Sequence, residues 1–149
     1  MSLSTPEILA AYDSVRSDKS PVNWLLLGND PSKPSSQQLI LRATGEGGIP
    51  ELLSSGHLSP TEVLYAYVRI QYANDAESVR VKFALITWIG ENTKVMRKAR
   101  VSIESGEVKK VLAHHSVSVQ AGELKEIDEE EIVRLCRKAG GADYNGGRG

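Results

Sequence analysis

The alternation of apolar and polar positions predicts a long central strand over residues 79–90, VRVKFALITWIG. Arg80 and Lys82 share one face of this strand, because successive side chains of a strand point to opposite sides, and that face becomes apolar from Ala84 onwards. A second run, residues 63–73, has apolar or aromatic side chains on both faces, which is typical of a strand covered on both sides. The two runs predict the centre of a sheet, and the charged end of the first one reaches the surface.

Shorter patterns predict the other elements. They are a helix that begins at Thr5-Pro6-Glu7, a hairpin of residues 23–27 and 38–43, a small helix ending at Gly56, a strand at residues 115–120 and a last helix from Asp128 to Gly140–Gly141. A helical crossover from residues 79–90 to residues 115–120 makes those two strands parallel. The predicted fold class is α/β, of the α+β type, with a mixed sheet of about five strands and helices on both faces.

A long helix is predicted between these last two strands, capped by Asn92 or Thr93 and running to about Ala113. One set of apolar positions lies early in it: Val95, Met96, Ala99 and Ile103. The later apolar positions are turned by roughly half a circumference, so a straight helix cannot bury both sets against one sheet. We therefore predict a bend near Ser105–Gly106, with a locally extended stretch over residues 99–103 as the alternative.

Length and composition indicate one domain, residues 1–144, followed by a flexible glycine-rich tail, residues 145–149. The 18 basic and 19 acidic side chains give a net charge of −1, which excludes a strongly basic nucleic-acid binder but leaves room for local basic clusters. No apolar run approaches about 20 residues, so no membrane span is expected. A single cysteine and an N-terminus unlike a signal peptide predict a cytoplasmic protein.

Residues that could carry chemistry are few and poorly spaced. A small hydrolase would use His57, His114 or Cys136, but no triad or metal-ligand spacing surrounds them. The sequence TGEGG (residues 44–48) lacks the lysine and hydroxyl residue of a phosphate-binding loop. We therefore predict that the chain is not an enzyme and binds no metal or cofactor, and we keep the hydrolase as an alternative hypothesis.

Basic residues form the most informative cluster. Lys94, Arg97 and Lys98 share one side of the long helix, with Arg100 towards its edge and the large apolar Met96 nearby. The predicted topology also places Arg80 and Lys82 near this cluster. Arg134, Arg137 and Lys138 form a second basic face, on the last helix. Basic groups that border an adaptable apolar residue are typical of a protein interface.

Two segments give the chain a family resemblance. KFALITWIGEN (residues 82–92) and RKAGGADY (residues 137–144) closely resemble the coactosin branch of the ADF-homology (cofilin-like) family. TGEGG, and the run from Met96 through residues 116–123, are also similar to drebrin-type ADF-homology domains. The resemblance implies the ADF-homology fold and a monomeric cytoskeletal protein that binds the sides of actin filaments and regulates actin dynamics, without catalysis.

The resemblance also implies which residues contact actin. Lys82 matches the lysine before a phenylalanine that the family uses on filaments. The start of the long helix matches an element that docks onto actin, and the last helix matches one that contributes to filament contact. The candidate actin-binding residues are Arg80, Lys82, Lys94, Met96, Arg97, Lys98, Arg100, Arg134 and Lys138. The second half of the long helix keeps only Lys109 and Lys110 where cofilins are lysine-rich. A cofilin-like protein that binds monomers and depolymerises filaments, and an ADF-homology module with a non-actin partner, are the alternatives.

Overall fold

The structure, a computed structural model, describes residues 3–75 and 78–146 and contains a five-stranded mixed sheet. Its elements in chain order are α1 (Pro6–Arg16), β1 (Trp24–Asn29), β2 (Leu39–Gly45), α2 (Gly48–Ser54), β3 (Val63–Ala73), β4 (Val79–Ile89), α3 (Val95–Lys98), α4 (Val101–Val111), β5 (Val117–Ala121) and α5 (Glu129–Gly146). The strand order is β2-β1-β3-β4-β5, and only the β4–β5 pair is parallel. The predicted fold class is confirmed.

The central strand β3 separates two apolar cores because its side chains alternate between the faces of the sheet. Leu64 and Ala66 lie in the core covered by α2 and α5, whereas Tyr65 and Tyr67 lie in the core covered by α1 and α4. The helices contribute Ile49 and Leu52 (α2), Ile132 and Cys136 (α5), Ile8 and Val15 (α1), and Val101 and Val108 (α4). Each fully buried aliphatic side chain contributes about 1.5–3 kcal/mol, so the helices are held mainly by these stripes.

The long helix is broken, but not where the sequence indicated. The break lies at Ala99–Arg100, between α3 and α4, whereas Gly106 lies inside α4. Both residues of the break keep right-handed helical backbone angles, so the alternative of an extended stretch over residues 99–103 is also wrong. α3 begins after the extended Lys94 without a side-chain cap. The reason is packing: α4 buries its own apolar stripe, and α3 buries none of its residues.

The last helix also differs from the prediction, because α5 continues past Gly140–Gly141 to Gly146. Gly140 does not end the helix; it permits close packing on the sheet. A β-carbon there would lie 3.3 Å from the Tyr72 hydroxyl oxygen and 3.6 Å from Cε of Lys82. The predicted tail is helical at residues 145–146, while residues 147–149 lie outside the described residues. The domain boundary at residue 144 stays a prediction.

Candidate functional site

An exposed apolar surface lies on α3 and the first turn of α4. Val95, Met96 and Ile103 are 79%, 80% and 76% exposed, and Lys94 and Lys98 beside them are also exposed. We call these five residues the α3 patch. Large apolar side chains this exposed contribute nothing to the core, and a group of them rimmed by charge is typical of a binding surface. The structure thus places three of the predicted site residues (Lys94, Met96 and Lys98) on one surface.

Arg97 does not belong to that surface. Its side chain is only 13% exposed, because Nε donates a hydrogen bond to Oδ1 of Asn29 (2.9 Å) and Nη2 donates to Oε1 of Glu104 (2.6 Å). Glu104 is itself buried and also accepts a hydrogen bond from the Tyr65 hydroxyl at 2.7 Å. Arg100 is half-buried. The predicted outward basic face of this helix is therefore wrong for Arg97, which is turned towards the protein.

The second exposed surface is basic and is formed where α5 crosses the start of β4. Arg80, Arg134 and Lys138 are exposed, and Lys82 is half-buried beneath α5. We call these residues, with Arg137, the β4–α5 patch. Arg134 is also bound by Glu131 on its own helix through two hydrogen bonds of 2.9 and 2.5 Å. This local pair lowers the pKa of the Glu131 carboxyl and raises that of the Arg134 guanidinium, both mainly through the hydrogen bonds.

Arg137 is a member of the β4–α5 patch that the predicted set of site residues omitted. Its guanidinium carbon lies 5.1 Å from the centre of the Tyr72 ring, and Tyr72 pairs with Arg80 across the sheet. This stacking holds a third cation of α5 beside Arg80. The sequence did place Arg137 on the second basic face of the last helix, but the predicted set of actin-binding residues took only Arg134 and Lys138 from that face.

The two patches lie at opposite ends and on opposite faces of the sheet. The α3 patch follows the Ile89 end of β4 and sits with the core of α1 and α4, whereas Lys82 belongs to the other face and the other end. Seven residues of strand from Lys82 to Ile89 span about 23 Å. The expected closeness of Arg80 and Lys82 to the basic cluster of the long helix is therefore wrong. The molecule offers two separate surfaces.

The side chains of the hydrolase hypothesis are not brought together. Cys136 is buried on the core-facing side of α5, and burial raises the pKa of its thiol, which disfavours the thiolate. His114 lies against Phe83 (5.2 Å between ring centres) on the opposite face of the sheet. Within residues 3–75 and 78–146 there is no group of three or more His, Cys, Asp or Glu side chains that could hold a metal.

TGEGG serves the structure of the turn before α2. The Glu51 carboxylate accepts hydrogen bonds from the backbone N–H groups of Glu46 (3.0 Å) and Gly47 (3.1 Å) and from the indole of Trp24 (2.8 Å). The bond from Gly47, followed by that from Trp24, lowers the pKa of Glu51. A carboxylate occupies the amides that a phosphate would need, which argues against a phosphate-binding loop.

Comparison with known proteins identifies the family. The family model described as cofilin/tropomyosin-type actin-binding protein matches residues 1–137. The chain belongs to this family. Coactosin of Dictyostelium discoideum is 36% identical over 146 residues, which are 98% of this chain and 96% of that protein. Drebrin-like protein of Mus musculus is 30% identical over 145 residues, 97% of this chain but 31% of that protein.

Solved structures of the family share the fold. The crystal structure of coactosin from Entamoeba histolytica has a TM-score of 0.81 at 29% identity and covers 92% of this chain and 96% of that one. The solution structure of mouse coactosin, described as an actin filament binding protein, has a TM-score of 0.69 at 31% identity and covers 92% and 90%. The resemblance to coactosin and to drebrin-type domains is thereby confirmed. Among the described residues, no helix has the length and apolar content needed to cross a bilayer.

Proposed function

We propose that this chain binds the sides of actin filaments through the α3 patch and the β4–α5 patch, and in this way regulates the actin cytoskeleton. It acts in the cytoplasm as a monomer, by binding and without catalysis. Membership of an actin-binding family and the similarity to coactosin support this proposal. The observation that carries it is the exposure of Val95 and Met96 on a helix that buries none of its residues.

The separation of the two patches supports a filament as the partner. Surfaces about 23 Å apart along the strand direction, on opposite faces, do not form one continuous epitope on a small partner. The side of a polymer presents neighbouring subunits, so each patch can contact a different subunit. Linking two weak contacts in one rigid molecule raises the overall affinity well above that of either contact alone.

The chemistry of each patch suggests a different contribution. Met96, flanked by Lys94 and Lys98, supplies a flexible apolar anchor that adapts to a pocket on the partner. Arg80, Lys82 and the cations of α5 favour an acidic surface, and actin is an acidic protein. Such charges raise the association rate and orient docking, and added salt weakens them.

Co-sedimentation with filamentous actin tests the proposal. We expect Lys82→Ala to weaken binding by about 1–3 kcal/mol, or about 5- to 150-fold, as for other interface hot spots. Lys33→Ala removes an exposed lysine that belongs to neither patch, in the loop between β1 and β2, and should bind like the wild type. Unchanged pelleting of Lys82→Ala would remove Lys82 from the interface.

A pyrene-actin assay separates the alternatives. A filament side-binder leaves the depolymerisation rate nearly unchanged, whereas a cofilin-like protein accelerates it. Lys109 and Lys110 are exposed in the last turn of α4 and are the residues on which a cofilin-like activity would depend. Failure to bind both monomeric and filamentous actin would instead favour an ADF-homology module with another partner.

A further inference from the structure

We propose that Arg97 is a positioning residue, which holds α3 so that the α3 patch faces the filament, and does not itself contact the filament. This inference rests on the proposed function. Its basis is the burial of the guanidinium, which is held between Glu104 on α4 and Asn29 at the end of β1. An arginine neutralised inside the protein cannot contribute to docking as the exposed Lys98 can.

Arg97 connects α3 to three parts of the sheet through a chain of hydrogen bonds. Glu104, its partner on α4, also accepts from Tyr65 of the central strand. Asn29 donates through Nδ2 to the backbone carbonyl of Gln38 (3.3 Å), and its own backbone carbonyl accepts from Nη1 of Arg42 (3.0 Å). The contact therefore ties a surface helix to β1, β2 and β3 of the sheet.

The break in the helix and the Arg97–Glu104 contact depend on each other. Residues seven apart in an unbroken helix lie about 10.5 Å apart along its axis, and helical side chains lean towards the N-terminus. The turn at Ala99–Arg100 brings the two groups to 2.6 Å. The same turn leaves the apolar residues of α3 facing outwards while α4 packs on the sheet.

Burial of its own side chains in the core does not hold α3 in place. It is four residues long and buries no side chain, and a helix of this length is not stable alone. Near it, the buried atoms Thr93 Oγ1, Arg97 Nη1 and Arg100 Nε have no hydrogen-bond partner among the described residues. Loss of the contact between Arg97 and Glu104 should therefore loosen α3 and disperse the α3 patch.

Salt dependence distinguishes a positioning residue from a docking residue. A cation that contacts an acidic partner contributes to the loss of affinity with added salt, whereas a buried, paired cation does not. We expect Arg97→Met to weaken filament binding about tenfold both at about 50 mM and at about 200 mM KCl, so that the ratio of the two affinities equals that of the wild type. Lys98→Ala, the exposed comparator, should reduce this ratio.

A double-mutant cycle and hydrogen exchange complete the test. Glu104→Gln should weaken binding as Arg97→Met does, and the double variant should bind no more weakly than either, because both remove one interaction. Amide exchange of residues 95–100 in the free variants should rise about tenfold or more. Val15→Ala, a core truncation in α1, controls for lost stability: it should bind like the wild type while its α3 amides exchange at wild-type rates.

Two results would overturn the inference. One is unchanged affinity of Arg97→Met; the other is a reduced salt ratio together with unchanged exchange of α3, which would make Arg97 a direct contact. Arg97→Lys keeps the charge and should recover part of the affinity if pairing with Glu104 is what matters. If wild-type protein fails to pellet with filaments, the proposed function fails, and hydrogen exchange still decides whether Arg97 holds α3.

Discussion

Tyr65 and Tyr67 form a matched pair for testing the buried network, because they lie on the same face of β3 and neither is exposed to solvent. The Tyr65 hydroxyl donates to the Glu104 carboxylate at 2.7 Å, whereas the Tyr67 hydroxyl donates to the backbone carbonyl of His114 at 2.5 Å. A hydrogen bond to a charged group contributes about 1.5–3 kcal/mol and one to a neutral group about 0.5–1.5 kcal/mol. We therefore expect Tyr65→Phe to lower the free energy of unfolding by about 2 kcal/mol and Tyr67→Phe to lower it by about 1 kcal/mol.

Thermal unfolding followed by circular dichroism measures the difference. In a domain of this length each kcal/mol lowers Tm by about 2–4 °C, so Tyr65→Phe should lower Tm by about 4–8 °C and Tyr67→Phe by about 2–4 °C. Urea unfolding with an unchanged m-value would show that the native state, and not the denatured state, was altered. An equal or reversed ranking would refute the reasoning, because it would mean that the Glu104 side chain stabilises a buried tyrosine hydroxyl no more than a backbone carbonyl does.

The remaining predictions concern stability, binding and pH. Gly106→Ala should raise the free energy of unfolding by about 0.5–1 kcal/mol, because a β-carbon at this position inside α4 meets nothing within 4 Å. Gly90→Ala should lower it by about 1–3 kcal/mol, because its β-carbon would lie 2.4 Å from the Pro60 carbonyl. Urea unfolding measures both changes. Met96→Ser should weaken filament binding by about 1–2 kcal/mol and leave Tm unchanged, because Met96 is exposed. Leu9→Ser, which changes an exposed apolar residue of α1, should bind filaments like the wild type. Co-sedimentation compares the binding of the two variants. Burial raises the pKa of Tyr65 and of Tyr67 above the usual value of 10.0, so the stability that these two residues contribute is complete below that pH and is lost as pH rises beyond it. Alkaline unfolding should therefore be less steep in the variant that carries both Tyr65→Phe and Tyr67→Phe.

The orientation of the long helix could not be predicted from the pattern of apolar residues alone. The helical periodicity correctly places Val95, Met96 and Ile103 on the side of the helix opposite Arg97. Periodicity does not decide which of the two sides faces the protein. One indication was present: Glu104 falls on the buried stripe of α4, and an acid in that position needs a cation or donors close by. An inward arginine could have been inferred from that requirement.

The sequence by itself determined the strands, their faces and most of the helix starts, because these depend on local backbone sterics and on alternation over a few residues. Segments such as KFALITWIGEN also determined the family. Only the tertiary structure decided that α3 turns its apolar residues outwards, that Arg97 is buried, and that the two basic surfaces are separated by the length of the sheet. The physical reason is that burial is a competition between distant segments for one sheet face, and here the stripe of α4 occupies the place that the apolar side of α3 would have needed.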